Sequence, residues 1–203
     1  LYYIPSGEFG KEGVLGLLKT HPEIRFVSLV GIDLAGNDTD EKVPIELFLK
    51  NYDDFFAGTA VQTDGSSVVL MNIATLNDAR VDMVADASVN WYIDYNEDNL
   101  YSNGRPVGTL RIPCFLLHNG KFIDSRSILK ESCAFVAEKL KGLLASGKPV
   151  KGMEDLPVDE IEDIKFTIGT ELEFWVKTPS ETETVQHLSI SQRLQEQYWQ
   201  RTV

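Results

Sequence analysis

The run Phe26-Val27-Ser28-Leu29-Val30-Gly31-Ile32, closed at once by Ala35-Gly36-Asn37-Asp38, sets the first limit on the fold. A segment this short and this rich in strand formers reads as a strand over Arg25 to Asp33, with turn chemistry behind it. The pattern recurs at Leu110 to Leu117, where His118-Asn119-Gly120-Lys121 carries the Asn-Gly pair favoured in tight hairpins. Directly after it, Asp124 or Ser125 is placed to cap a helix. Ile128, Leu129, Phe135, Val136, Leu140, Leu143 and Leu144 form its apolar stripe, and Gly147-Lys148-Pro149 ends it. Strands joined by turns and then a long amphipathic helix describe a chain of both element types.

The remaining segments fit around these. Leu15 and Leu18 mark a short first helix ended by His21-Pro22, because the residue before proline is pushed out of helical geometry. Pro44 to Phe56 reads as partly helical. Thr63-Asp64-Gly65-Ser66-Ser67 breaks the periodicity and leads into a short apolar strand, Val68-Val69-Leu70-Met71. Asp94 to Pro106 is polar and reads as a surface loop, and Lys148 to Asp163 as a linker. From Lys165 to Lys177 strict alternation predicts a long strand, with Phe166, Ile168, Leu172, Phe174 and Val176 on one face. Thr167, Gly169, Glu171, Glu173 and Trp175 take the other. A last helix over Ser189 to Trp199 has Ser189 and Gln192 placed as a capping box.

Charge narrows the partners. Over 203 residues, 31 acids against 19 bases give a net charge of -12, and no basic run appears, so phosphate backbones and anionic lipid are poor partners. No apolar stretch approaches the ~18 residues of a membrane helix. Cys114 and Cys133 sit in apolar contexts without zinc-site spacing and read as buried thiols of a reducing cytoplasm. The start, Leu1-Tyr2-Tyr3-Ile4-Pro5, has no signal-peptide pattern, and both ends read as cut.

Two places could carry chemistry. On a strand, Glu171 and Glu173 would share a face with Cα atoms roughly 7 Å apart, an arrangement suited to Mg²⁺ or Mn²⁺ and equally that of a solvated strand face. Asp64-Gly65-Ser66-Ser67 combines a tight backbone with an acid and two hydroxyls, and alone it would pass as an ordinary turn. Asp78, Asp82 and Asp86 lack the spacing of a calcium loop. His21, His118 and His187 are scattered and fit turn or surface roles.

The order of the segments says more than any one of them. Phe26 to Gly36 resembles the first strand and turn of the glutamine synthetase family, and Asp64-Gly65-Ser66-Ser67 matches its Asp-Gly-Ser-Ser loop. Asp124-Ser125-Arg126-Ser127-Ile128-Leu129 resembles the family's Asp-Pro-Arg-x-Ile-Leu helix entry, and Gly169-Thr170-Glu171-Leu172-Glu173-Phe174 its Gly-x-Glu-x-Glu-Phe strand. Thr63 stands where the family commonly has phenylalanine.

The resemblance implies an α+β chain. Its expected parts are an amino-terminal helix over 1–22, a β-grasp-like domain over 23–123, and the first strand or strands of a truncated α/β catalytic domain over 124–203. It further implies a homo-oligomer of stacked rings, with each active site between neighbouring subunits. ATP would phosphorylate the side-chain carboxylate of glutamate, and ammonia would displace phosphate. Glu171 and Glu173 would bind divalent ions, and Asp64, on the Gly65-Ser66-Ser67 loop, would attract ammonium and take its proton. The rest of the machinery would lie beyond Val203, leaving the fragment inactive. Two other readings stay open: a relative that joins glutamate to a different amine, and a free-standing binding module.

Overall fold

The computed structural model describes residues 1–70, 75–77, 79–148, 151–152, 161–171 and 173. The chain divides into two units, Leu1–Ile164 and Lys165–Val203. The first is a mixed α and β structure of largely antiparallel pairing, consistent with the α+β class.

In chain order it comprises β1 (Tyr3–Ile4), α1 (Lys11–Lys19), β2 (Ile24–Ile32), β3 (Asp38–Pro44), α2 (Ile45–Lys50) and α3 (Tyr52–Ala57). There follow β4 (Gln62–Asp64), a 3₁₀ turn (Gly65–Ser67), β5 (Arg80–Ala85), β6 (Trp91–Leu100), β7 (Pro106–His118), β8 (Lys121–Phe122) and α4 (Ser125–Ala145). Strands lie in the order β1-β6-β7-β2-β3. Thirteen residues long, β7 is the spine: its first half pairs with β6 and, in parallel, with β2, and its second half pairs with β5 and β8. β5 in turn carries β4, which brings the Asp64 loop to the margin of the sheet.

Alternation assembles the core. Val27 and Leu29 of β2 register with Leu110 and Ile112 of β7, and all four are fully buried. They join one cluster with Val14 and Leu18 of α1, Phe48 of α2 and Phe55 of α3. Phe48 meets Phe55 edge-on at 5.0 Å between ring centroids, and Phe56 stacks on Trp91 at 5.8 Å.

Local signals account for several elements. Asn119 and Gly120, with φ of 50° and 73°, close the β7–β8 hairpin in the left-handed region that the Asn-Gly pair tolerates. Asp124 caps α4 by accepting from Ser127 N at 2.8 Å and Ser127 Oγ at 2.7 Å, and it also accepts from Leu116 N at 3.1 Å. The apolar stripe of α4 is covered unevenly, for Leu144 is buried while Leu129 and Phe135 are 55% and 59% exposed. Among the described residues no helix is long and apolar enough to cross a membrane.

Several expectations need correction. The short strand expected over Val68 to Met71 is not formed at 68–70, which hold a bend and a single bridge, and Cys133, read as buried, is only partly so. Asp94 to Pro106 is not simply a surface loop. Its first part continues β6, pairing Asp94 with Thr109, Tyr95 with Gly108 and Asn96 with Val107. Polar side chains do not prevent a strand when a neighbour supplies backbone partners and one face meets solvent. The strand expected over Lys165 to Lys177 is not formed at 165–171 and 173, which carry no regular structure. Alternation creates a strand only where another edge satisfies the backbone groups, and among the described residues none pairs with this segment. Leu172, residues 174–177 and the helix expected over Ser189 to Trp199 lie outside the described residues.

Candidate functional site

The Asp64 loop is built by short-range rules. In β4 Thr63 pairs with Val81 and is buried, so alternation turns Asp64 outward. Its Oδ1 accepts from Ser66 N at 2.7 Å, the Asx geometry that lets an acid start a turn. Gly65 N donates to Ala79 O at 2.6 Å, and Val68 N to Gly65 O at 3.1 Å. Ser66 and Ser67 are exposed, whereas Gly65 and Val68 are buried, so the loop presents polar side chains from an anchored backbone.

Gly65 is required by space. A Cβ there would lie 2.6 Å from Leu76 Cβ and 2.8 Å from Ala79 O. Gly65→Ala is expected to break the Gly65–Ala79 hydrogen bond and to cost about 2 kcal/mol of stability. Urea unfolding measures it; an unchanged midpoint would contradict the close packing.

The exit from the loop is held by the β2–β3 hairpin. Asp33, fully buried, accepts from Ala35 N at 2.8 Å and Asn37 N at 2.9 Å on Oδ1, and from Asn37 Nδ2 at 3.1 Å and Val69 N at 2.9 Å on Oδ2. Burial alone would raise its pKa, but the hydrogen bonds from Val69, Asn37 and Ala35 outweigh it and leave the carboxyl lowered. Thr39 Oγ1 adds a bond to Ser67 O at 3.3 Å. Asp33 had been legible only as the end of a strand. The signal that could have found it is an acid at the end of a strand with Gly36-Asn37 three and four residues on, where a side chain commonly closes an Asx loop.

Asp64 keeps its negative charge. Ser66, through its side chain and then its backbone N–H, holds the carboxyl below the usual carboxylate range. Arg80, its register partner, bonds Asp82 instead at 2.7 Å. An ionised, exposed carboxylate beside two hydroxyls suits a small cation or amine. Its lowered pKa makes it a better holder of positive charge than an acceptor of protons.

The other candidates part company. Glu171 and Glu173 are exposed on a segment without regular structure. Among the described residues no group of three or more His, Cys, Asp or Glu is placed to hold a metal, so the two glutamates could supply only part of a coordination shell completed by water or phosphate oxygens. Of the acidic trio, Asp82 is taken up by Arg80, and Asp86 by Ser88 N at 2.8 Å and by Arg126, while Asp78 lies outside the described residues. His21 bonds Glu23 at 3.1 Å and His118 bonds Arg80 O at 3.1 Å, both structural ties; His187 lies outside the described residues. Cys114 and Cys133 are unpaired thiols, and burial, followed by the charge of Asp124, pushes Cys114 up to about 12, far from a nucleophile's range. A separate open hollow of about 520 Å³ is lined by Ser6, Val89, Asn90, Tyr92, Pro113 and Arg126 and includes none of the loop.

Comparison with solved structures gives a distant likeness. The chain is similar to the Plasmodium falciparum glutamine synthetase determined by cryo-electron microscopy, at 18% sequence identity and a TM-score of 0.44. The match covers 66% of this chain, which spans 24% of the length of that one. No family model matches the sequence, and no curated protein matches it.

Proposed function

We propose that this chain is the amino-terminal part of an ATP-dependent ligase of the glutamine synthetase type, which joins ammonia to the side-chain carboxylate of glutamate. The supporting observation is the Asp64 loop: an ionised, outward carboxylate with Ser66 and Ser67 on a backbone fixed at Gly65 and Val69, within an Asp-Gly-Ser-Ser sequence. In this reading Asp64 attracts ammonium to the edge of a neighbouring subunit's active site, and Ser66 and Ser67 face the same opening. The β-grasp-like arrangement, the ring assembly and the cytoplasmic location belong to the same proposal.

ATP and Mg²⁺ or Mn²⁺ would be completed by residues outside the described ones, with Glu171 and Glu173 as candidate metal ligands. The full-length protein, supplied with Mg²⁺, ATP, glutamate and ammonium, is expected to release phosphate and form glutamine only when all are present. The 203-residue chain alone is expected to do neither. Phosphate release that ignores glutamate and ammonium in the full-length protein, or glutamine formation by the isolated chain, would refute the proposal.

A further inference from the structure

We infer that Asp33 is a positioning residue for the Asp64 loop, its buried carboxylate fastening the β2–β3 turn and the backbone leaving the loop to one anion. The four N–H bonds to Asp33 divide between two parts of the chain. Ala35 N, Asn37 N and Asn37 Nδ2 come from the turn, whereas Val69 N comes from 36 residues further on, immediately beyond the loop. Thr39 Oγ1 to Ser67 O is a second tie between the same two parts. On the entry side the loop is held differently, by β4–β5 pairing and by Gly65 N to Ala79 O. The hairpin therefore governs only the exit, and with it the freedom of Ser66, Ser67 and Val68.

A neutral amide cannot replace this carboxylate. Both oxygens of Asp33 face N–H donors, so an asparagine must turn its own NH₂ toward one set and leave a buried donor unpaired. The loosened segment would be the one that presents the polar side chains, while β7, paired on both sides, would keep its order.

Asp33→Asn in the 203-residue chain is expected to speed amide hydrogen exchange about tenfold at Ser66, Val68 and Val69, with Leu110 and Ile112 of β7 unchanged. Asp38→Asn, on the exposed side of the same hairpin, should leave all of these as in the wild type. Should Asp33→Asn not fold, Asp33→Glu keeps the charge but displaces it by one methylene, and it is expected to raise exchange at the same three amides by a smaller factor. Loop exchange equal to the wild type, or a rise shared by Leu110 and Ile112, overturns the inference.

The activity arm rests on the function proposed above. In the full-length protein Asp33→Asn is expected to raise the KM for ammonium severalfold, with the KM for ATP unchanged. Faster loop exchange beside a wild-type protein that forms no glutamine would sink the ligase reading and leave the positioning role standing. A glutamine-forming wild type whose Asp33→Asn variant raises both KM values alike would overturn the positioning role.

Discussion

Asp64→Asn is expected to lower glutamine formation by the full-length protein roughly 5- to 10³-fold at low ammonium, the span for losing one unit charge about 4 Å from the cation between bulk water and a protein surface. The substitution is close to isosteric, and an asparagine Oδ1 can still accept from Ser66 N, so the turn should form as before. What disappears is the charge. The wild-type carboxyl is held in its ionised form by Ser66, and Arg80 is engaged with Asp82 rather than with it. A carboxylate left unneutralised can draw in ammonium electrostatically, whereas an amide cannot. The effect should therefore appear mainly in the KM for ammonium, with unfolding temperature unchanged. Because the carboxyl is lowered, ionisation of Asp64 should not limit the rate anywhere near neutral pH. Steady-state kinetics at varied ammonium checks all of this; an Asp64→Asn enzyme with wild-type turnover and KM would remove Asp64 from the site.

Legibility followed the range of the interaction that decides each element. The β7–β8 hairpin and the start of α4 were readable because Asn119-Gly120 and Asp124 act on their immediate neighbours. The turn at Asp64-Gly65-Ser66-Ser67 was readable for the same reason, as an Asx bond to Ser66 N closes it, whereas the alternation that turns Asp64 outward depends on β4 pairing with β5. The strand character of Asp94 to Asn96 was not, since β7 supplies it from more than ten residues away. The converse failure occurred at 165–171, where a clean alternating pattern carries no strand: period records which face a strand would bury, not whether a partner edge is present. The stripe of α4 makes the same point, for periodicity found the helix and could not tell that Leu129 and Phe135 stay exposed. Asp33 was missed as a site residue because its turn signal points only to the local bonds, and the bond to Val69 N, 36 residues on, has no sequence signature.

Glu23→Gln is expected to destabilise the 203-residue chain by about 3 kcal/mol at pH 7, with the difference disappearing as pH falls. Glu23 is 1% exposed at the start of β2. It accepts from Arg105 Nη1 at 2.9 Å and Asn103 Nδ2 at 3.3 Å, and it bonds His21 Nδ1 at 3.1 Å, while its own carbonyl accepts from Gly108 N at 2.9 Å. One side chain thus fastens the end of α1, the start of β2 and the β6–β7 connection. Burial by itself would raise the carboxyl. Its own backbone N–H, Arg105, His21 and Asn103 together more than offset that and bring it from 4.5 down to about 2. A folded pKa below the unfolded one means that the native state holds the anion more tightly. The stabilisation is complete above about pH 4.5 and is lost as pH falls through about 2, below which both states are protonated. Urea unfolding of wild type and Glu23→Gln at several pH values should therefore give curves that lie apart at pH 7 and converge toward pH 2. Arg105 is 60% exposed, so removal of its partner returns it to water at little cost, and the loss measured belongs to the buried anion rather than to a stranded cation. Parallel curves across that range would mean that Glu23 contributes packing and not charge.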